Sequence, residues 1–218
     1  MKIAIVILNW NGRDLLEKFI PSIVRFSAES SEIYVADNNS TDDSISFLQK
    51  NYPEVRIIQN DVNGGYAKGY NDALKHVEAD VYGLVNSDIE VSEGWLEPIM
   101  AEFASNENTG IVQPKLLDYK NKTKFEYAGA GGGFVDFMGY PFCRGRVFME
   151  LETDTGQFDD ETDIFWASGA CFFIRSGIFH ELGGFDEDYF AHQEEIDLCW
   201  RVQNEGYGVR YAGKSEVY

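Results

Sequence analysis

Three apolar runs in this sequence end directly in polar side chains that could hold a ligand. The runs and the polar residues that follow them are 2–8 with Asn9, 32–36 with Asp37, and 81–85 with Asn86, Ser87 and Asp88. In an open α/β sheet, ligands bind at the carboxyl ends of the strands. A carboxylate such as Asp88, beside amide and hydroxyl oxygens, suits Mg²⁺ or Mn²⁺ together with substrate phosphates. The alternative is a strand that ends in a solvated turn.

A second group of candidate residues lies far downstream, in a predicted helix over residues 194–204. Glu194 and Glu195 stand in its first turn, where the helix dipole favours acidic side chains. Asp197 and Arg201 are four residues apart and are predicted to pair on one face.

The hydrophobic periodicity predicts the elements that would position these residues. Strands are predicted over 2–8, 32–36, 55–58, 81–85, 111–117 and 164–175, and helices over 14–26, 40–48, 66–76, 93–105 and 194–204. We expect Pro21 to kink or shorten the first helix, Ser40 to cap the second, and Gly206 to end the last. The alternation of strands and helices predicts an α/β protein with a doubly wound parallel sheet.

Two stretches break this pattern. Residues 128–145 are rich in glycine and aromatic residues, and residues 150–163 are strongly acidic. A long irregular stretch in a compact domain is usually a functional loop or is disordered. Arg144 and Arg146 are the close basic pair of this region and could contact a phosphate.

Composition limits the partners. The 218 residues fit one large or two small domains, and 18 basic against 37 acidic residues give a net charge of −19. Nucleic acid is a poor partner for such a field, and an anionic nucleotide needs a metal or a local basic group. The three cysteines suggest neither a disulfide framework nor a zinc site, which favours a cytoplasmic protein. Residues 213–218 look like the start of a further element, so we expect truncation at the C-terminus.

Five stretches in this order and spacing carry a family resemblance. They are IVILNWNG (5–12), VADNNSTDDS (35–44), NGGYAKGYNDAL (63–74), LVNSDIE (84–90) and GGFDEDYFAHQEEIDLCWR (183–201). Together they resemble the family 2 glycosyltransferases, inverting enzymes of the GT-A fold, and within them the bacterial rhamnosyltransferase-like branch. The resemblance covers nearly the whole chain and implies a mostly parallel central sheet with helices on both faces.

The resemblance implies a donor site along the first four stretches. Asp37 would accept a hydrogen bond from the imide N–H of uracil or thymine, although it could instead form an Asx turn or helix cap. Asp88 matches the last aspartate of the DXD motif, which binds the metal on the donor diphosphate, and Asn86 replaces the first. The remaining expected donor-binding residues are Asn9, Asn39, Gly65, Lys68 and Ser87.

The fifth stretch implies the catalytic residues. Glu194 and Glu195 match the acidic pair of the ED-x-D signature, which makes Glu195 the expected base, where aspartate is commoner. Trp166, Ser168 and Gly169 stand where the family lines the acceptor side, although Trp166 could equally be core. Residues 1–117 are expected to form the nucleotide-binding half of a single domain and residues 118–218 the acceptor-side half.

The expected function is inverting transfer of a sugar from a UDP- or dTDP-sugar to the hydroxyl of a glycan or lipid-linked acceptor, with Mn²⁺ or Mg²⁺. The expected setting is cell-surface glycan synthesis in the cytoplasm, with peripheral association at the inner face of the membrane. One alternative is a sugar nucleotidyltransferase, but the turn after the first run lacks its basic, glycine-rich loop. Another is a non-catalytic carbohydrate-binding module using the acidic run 159–163.

Overall fold

The computed structural model describes residues 1–189 and 192–218. Strands and helices alternate over the first half of the chain. The strands are β1 (Ile3–Asn9), β2 (Glu32–Asp37), β3 (Arg56–Gln59), β4 (Val81–Asn86), β5 (Thr109–Asp118), β6 (Asn121–Phe125), β7 (Gly133–Val135), β8 (Pro141–Cys143), β9 (Arg146–Val147), β10 (Glu150–Leu151), β11 (Glu161–Asp163), β12 (Cys171–Arg175) and β13 (Gly208–Val217). The helices are α1 (Arg13–Ser27), α2 (Ser44–Asn51), α3 (Gly65–Leu74), α4 (Leu96–Ser105), α5 (Ser176–Glu181) and α6 (Glu194–Asn204).

One sheet of nine strands organises the fold. Its order is β11-β13-β5-β12-β4-β1-β2-β3, with β6 paired to β5. β1 to β4 are parallel, and β13 is parallel to β5, whereas β12 runs antiparallel between β4 and β5. The sheet is therefore mostly parallel, as predicted, with β12 as the reversed strand at its centre.

The strand register brings the predicted polar ends to one edge. Asn9 is the register partner of Asp37, and Leu8 is the partner of Asn86. Because these three strands are parallel and adjacent, their carboxyl ends open on the same side of the sheet. This arrangement confirms the prediction that the polar residues after the apolar runs lie at the carboxyl ends of strands in one sheet.

Helices cover both faces of the sheet. In β1, Ala4 and Val6 pack in the core on the side of α3, α5 and α6. The alternating residues Ile3, Ile5 and Ile7 pack on the other side, with α1, α2 and α4. Since successive side chains of a strand point to opposite faces, a continuous apolar run is what a strand buried on both faces requires.

The extents of two helices differ from the sequence prediction. Helix α1 is not shortened by Pro21 but continues to Ser27. Packing of its apolar stripe on the sheet overrides the local cost, since most helical stability in proteins comes from such packing. Helix α2 begins at Ser44, so Ser40 is not its N-cap; the Ser44 N–H is instead bound by the Asp42 carboxylate at 3.0 Å.

The predicted strand over 164–175 is also too long. β12 begins at Cys171, and the preceding residues leave the sheet because Trp166 pairs with Gly133 and the Ser168 N–H donates to Gln113 Oε1 at 2.7 Å. At the other end of this region the prediction is confirmed: Gly206, with φ of 88°, follows the end of α6.

The region predicted to be irregular consists of short paired strands. β7 pairs with β8, and β9 pairs with β10, which makes two small hairpins beside the main sheet. The Lys115 ammonium holds the following acidic segment, because it lies 2.9 Å from Asp154 and also binds Asp159. No helix within 1–189 or 192–218 is long and apolar enough to cross a membrane.

Candidate active site

A cavity of about 750 Å³ opens at the carboxyl end of β4. Six of the predicted site residues line it: Asn86, Asp88, Ser168, Gly169, Glu194 and Glu195. They come from three distant parts of the sequence, so the fold brings the predicted metal residue, two predicted acceptor-side residues and both predicted catalytic residues together.

Asp88 stands in the turn after β4 with an exposed side chain. The turn is fixed on both sides: the Ile89 N–H donates to the Asn86 carbonyl at 3.4 Å, and Glu90 exchanges backbone hydrogen bonds of 2.8 Å with Tyr218. Across residues 1–189 and 192–218, no hydrogen bond or ion pair engages the Asp88 carboxylate. Its oxygens are free for a hard cation, which would also find the Asn86 side chain on the same lining.

Glu194 and Glu195 begin α6, after Gln193 in the left-handed conformation with φ of 78°. Each carboxylate has one buried oxygen, Oε2, without a hydrogen-bond partner in the part of the chain that the structure describes. A β-carbon on Gly169 would lie 3.6 Å from the carboxyl carbon of Glu195 and 3.5 Å from the Tyr66 hydroxyl. Gly169 thus keeps the space beside the predicted base open.

Burial shapes the acidity of this pair. Burial raises the pKa of Glu195, and the charge of Glu194 raises it further against backbone hydrogen bonds that lower it. Burial likewise raises the pKa of Glu194. Once ionised, a carboxylate with a raised pKa is a stronger base than an ordinary glutamate.

Tyr66 closes one side of the cavity. Its hydroxyl donates to the Gly169 carbonyl at 2.7 Å, and burial raises its pKa well above the usual value. The ring therefore stays neutral and presents an aromatic wall next to Glu195.

Asp37 lies at the same edge of the sheet but is 1% exposed. Its carboxylate accepts hydrogen bonds from Asn9 Nδ2 at 2.9 Å, the Ser40 hydroxyl at 2.6 Å and the Ser40 N–H at 2.9 Å. The turn-forming role left open by the sequence is thus present in the structure. The exposed neighbour on this edge is Asn39, with φ of 59°.

The other expected donor residues lie around this edge, outside the cavity lining. Gly65 has φ of 81°, and its N–H donates to the Asn63 side chain at 3.0 Å. Lys68 is paired with Asp72 at 2.7 Å, so part of its charge is already offset. Ser87 reaches the turn after β1, since a β-carbon on Gly12 would lie 3.9 Å from its hydroxyl.

Two residues predicted to contact ligands are placed in structural positions. Trp166 is buried, and its indole N–H donates to the Phe134 carbonyl at 2.8 Å, so it belongs to the core rather than to the acceptor side of the cavity. Arg144 pairs with Asp160 at 2.9 Å and donates to the Gly131 carbonyl at 2.6 Å. Asp197 and Arg201 pair at 2.7 Å, as predicted.

Sequence reasoning missed several side chains that line the cavity: Lys18, Tyr66, Tyr119, Lys120, Tyr127 and His192. Most stand in loops or on exposed helix surface, where no periodicity marks them. Tyr66 directly follows the glycine pair before α3, and that position is the one signal that could have indicated it.

A second acidic cluster does not suit a metal. Carboxylate oxygens of Asp154, Asp159 and Glu216 lie within 4.8 Å of one another. The buried Lys115 ammonium already stands among them, 2.9 Å from Asp154 and 3.6 Å from Glu216. A divalent cation would meet that charge, so the cluster is an ion-pair network.

The sheet topology and the acidic turn at the cavity define a nucleotide-diphospho-sugar transferase fold of the GT-A type. A structure of GalNAc-T7 with UDP, GalNAc and Mn²⁺ superposes on the whole chain with a TM-score of 0.77, at 16% identity and over 43% of its own length. A mannosyltransferase from Pyrobaculum calidifontis with GDP-Man and Mn²⁺ has a TM-score of 0.70 over 99% of the chain and 56% of its own, at 14% identity.

The chain belongs to glycosyl transferase family 2, whose model matches residues 4–183. It is 24% identical, over 99% of its length and 75% of the relative's, to the N-acetylglucosaminyl-diphospho-decaprenol L-rhamnosyltransferase of Mycobacterium tuberculosis. These matches confirm the resemblance to the rhamnosyltransferase-like branch of the family.

Proposed function

We propose that this protein transfers a sugar, with inversion, from a UDP- or dTDP-sugar to an acceptor hydroxyl. The observation that carries the proposal is the shared cavity of Asp88 and Glu195. One is an exposed carboxylate that no hydrogen bond or ion pair engages within residues 1–189 and 192–218, and the other is a buried carboxylate with a raised pKa. A metal ligand and a general base are the two groups that a metal-assisted inverting transfer requires.

The reaction follows from these positions. Glu195 accepts the proton of the acceptor hydroxyl while that oxygen attacks the anomeric carbon. The bond between the anomeric carbon and the diphosphate oxygen breaks, and the nucleoside diphosphate leaves. Attack from the face opposite the leaving group inverts the anomeric centre, so no enzyme nucleophile is needed.

Asp88 and Asn86 are the residues that would hold Mg²⁺ or Mn²⁺. Their carboxylate and amide oxygens match the preference of both ions, and no group in the described part of the chain engages the Asp88 oxygens. When bound, the ion supplies charge stabilisation for the departing diphosphate.

The donor base is assigned through Asp37 and its neighbours. Asn9 ends β1, which lies beside the strand of Asn86, and Asp37 and Asn39 lie at the end of β2, the next strand along the sheet. Solved relatives of this fold hold UDP in one case and GDP-Man in another, so the fold alone does not select the base. The choice of uracil or thymine depends on the acceptor oxygens of Asp37.

A lipid-linked or glycan acceptor fits the other side of the cavity. The Mycobacterium tuberculosis relative, by its name, acts on N-acetylglucosaminyl-diphospho-decaprenol. In this chain Tyr66 and Tyr127 offer aromatic faces for a sugar ring, and Lys18 and Lys120 offer positive charge for a diphosphate. We therefore place the protein in cell-surface glycan synthesis at the cytoplasmic face of a membrane.

Calorimetry with UDP-, dTDP- and GDP-sugars, each with Mn²⁺ and with EDTA, tests the proposal. We expect UDP- or dTDP-sugar to bind tightly only with the metal, and GDP-sugar to bind poorly. Equal affinity in EDTA, or equal affinity for all three bases, would contradict it. Release of pyrophosphate from a nucleoside triphosphate, when a sugar phosphate attacks its α-phosphorus to form a nucleotide-diphospho-sugar, would point to the nucleotidyltransferase. Binding of free sugar alone would point to a carbohydrate-binding module.

A further inference from the structure

The two small hairpins carry an unusual density of exposed apolar side chains. Across the described residues, fourteen large apolar side chains are exposed, and eight of them fall within residues 127–149. Those eight are Tyr127, Phe137, Met138, Tyr140, Phe142, Val147, Phe148 and Met149. We call the turns at 136–140 and 147–149 the hairpin tips. An apolar patch of this kind on a protein surface marks an interaction site.

The tips are built to stay exposed. Phe137 is 97% exposed and Phe148 is 90% exposed, so nothing in the described chain covers them. The first tip is fixed by Asp136, whose carboxylate accepts the N–H groups of Met138 and Tyr140 at 2.8 and 2.9 Å. At the second tip Phe148 has φ of 54°, an unfavourable conformation for a bulky residue.

Charge separates this region from the rest of the molecule. Residues 127–149 contain one acidic side chain, Asp136, against Arg144 and Arg146, and Arg144 is paired with Asp160, so the hairpins are close to neutral in a chain whose net charge is −19. An anionic surface would therefore repel this face less than the remainder of the chain. A bilayer with anionic lipids attracts basic side chains and accepts aromatic and aliphatic side chains at its interface.

The hairpin tips also adjoin the cavity. Tyr127 lines it, and its hydroxyl donates to the Met149 sulfur at 3.7 Å. The Arg146 guanidinium lies 3.9 Å from the centre of the Tyr127 ring, and Leu151 continues the lining. A surface resting on the tips would therefore meet the mouth of the cavity.

We propose that the hairpin tips dock this protein on a lipid bilayer, with Phe137, Met138, Phe148 and Met149 entering the interface and Arg146 facing anionic head groups. The step from surface to cavity rests on the proposed function, because a lipid-linked acceptor would then present its sugar to Glu195 without leaving the membrane. The surface itself stands on exposure and charge.

Vesicle sedimentation of the full chain tests this proposal, with vesicles of phosphatidylglycerol and phosphatidylcholine. We expect the wild type to sediment with the vesicles and the double variant Phe137→Ser, Phe148→Ser to partition about tenfold more weakly or worse. Trp200→Ser, which removes a half-exposed aromatic side chain on α6, is the matched control and should sediment like the wild type. Thermal melting of each variant shows whether it folds.

Three results would overturn the docking surface. One is a wild type that stays in the supernatant, and another is a double variant that sediments as well as Trp200→Ser. The third is self-association without lipid that the double variant abolishes, because the tips would then bind a second copy. Calorimetry with the donor and Mn²⁺ on the same proteins distinguishes the two proposals. A wild type that sediments with vesicles but does not bind the donor would contradict the proposed function and leave the docking surface intact.

Discussion

Glu195 combines burial, an open space at Gly169 and a carboxylate oxygen that has no hydrogen-bond partner among the described residues. We expect Glu195→Gln to lower the rate of sugar transfer by about 10²–10⁴-fold, because it removes general-base help. Donor affinity should change little, since the residue faces the acceptor side. Steady-state kinetics with calorimetry of the donor separate the two effects.

The same helix supplies the controls for this experiment. Asp197→Asn breaks the ion pair with Arg201 outside the cavity and should leave transfer nearly intact. Glu195→Asp should keep partial activity, since aspartate is commoner at this position in the family. If Glu194→Gln abolishes transfer while Glu195→Gln does not, the base is Glu194.

The pH dependence of transfer follows from the raised pKa of Glu195. The base must be ionised, so activity should rise through that pKa, and the acid limb of the profile should lie above the usual range of a glutamate, near 4.3. A log plot of kcat/KM against pH measures it. An acid limb at or below the ordinary value would contradict the role of burial.

Burial of Glu195 also affects stability, with a sign that can be worked out. A pKa raised in the folded state means that stability is full below the unfolded value and is lost as pH rises through the folded value. Glu195→Gln should therefore raise Tm at pH 7 and lose that advantage near pH 4. Each 1 kcal/mol corresponds to roughly 2–4 °C for a chain of this size.

Asp37 tests the assignment of the donor base. Its carboxylate already accepts hydrogen bonds from Asn9 and Ser40, so a nucleotide base would have to share it. We expect Asp37→Asn to weaken uridine or thymidine nucleotides by about 1.5–3 kcal/mol, the worth of a charge-assisted hydrogen bond. Calorimetry measures this loss, and thermal melting shows how much stability goes with it. If a stable Asp37→Asn variant binds the nucleotide with unchanged affinity, Asp37 only stabilises its turn and does not bind the donor base.

At the residue scale, the sequence predicted best where a side chain stands at the end of a strand. Asp88 and Asn86 could be placed because the apolar run before them sets the edge of the sheet. Trp166 could not, because an aromatic residue in an irregular segment fits core and ligand site equally well. Its burial depends on Gly133, which lies 33 residues earlier in the chain.

Among the elements, β1 to β4 and the helices between them were predicted in type and order, because each shows its own apolar pattern. The boundaries were less well predicted, since α2 begins at Ser44 rather than near Ser40. The hairpins at 133–151 were not, since two- and three-residue strands carry too few side chains to show a period. β12 was predicted too long because apolar composition continues through 164–170, where tertiary contacts with Gly133 and Gln113 bend the chain away.

The Lys115 network is the element that ties the acidic segment to the sheet. Burial lowers the Lys115 pKa, but the hydrogen bonds that its ammonium donates to Asp159 and Asp154 outweigh burial and raise the pKa overall. Lys115→Met would leave three carboxylates crowded together, so we expect it to cost about 3 kcal/mol of unfolding free energy. Urea denaturation measures the free energy of unfolding, and Lys214→Met, at an exposed lysine, is the control. If Lys115→Met costs no more unfolding free energy than Lys214→Met, solvent already screens the carboxylates of the network.

Over the whole molecule, the net charge of −19 sets the terms for an anionic donor. A nucleoside diphosphate approaching this protein is repelled at long range unless a cation offsets its charge. We expect Asp88→Ala to abolish the effect of Mn²⁺ on donor affinity and to remove most of that affinity. Calorimetry with and without EDTA decides this, and Asp14→Ala, which changes the net charge equally on α1, should bind donor like the wild type.

The reversed strand β12 determines when the active site can exist during synthesis. It separates β4 from β5, and β13 completes the sheet beside β5, so residues 171–217 must arrive before the centre of the sheet closes. Until then the nascent chain holds β1 to β4 with an unpaired apolar edge at Val81–Asn86, an aggregation hazard. Because pairing over such long sequence separations is slow, we expect the edge of β4 to stay open to aggregation until β12 pairs with it.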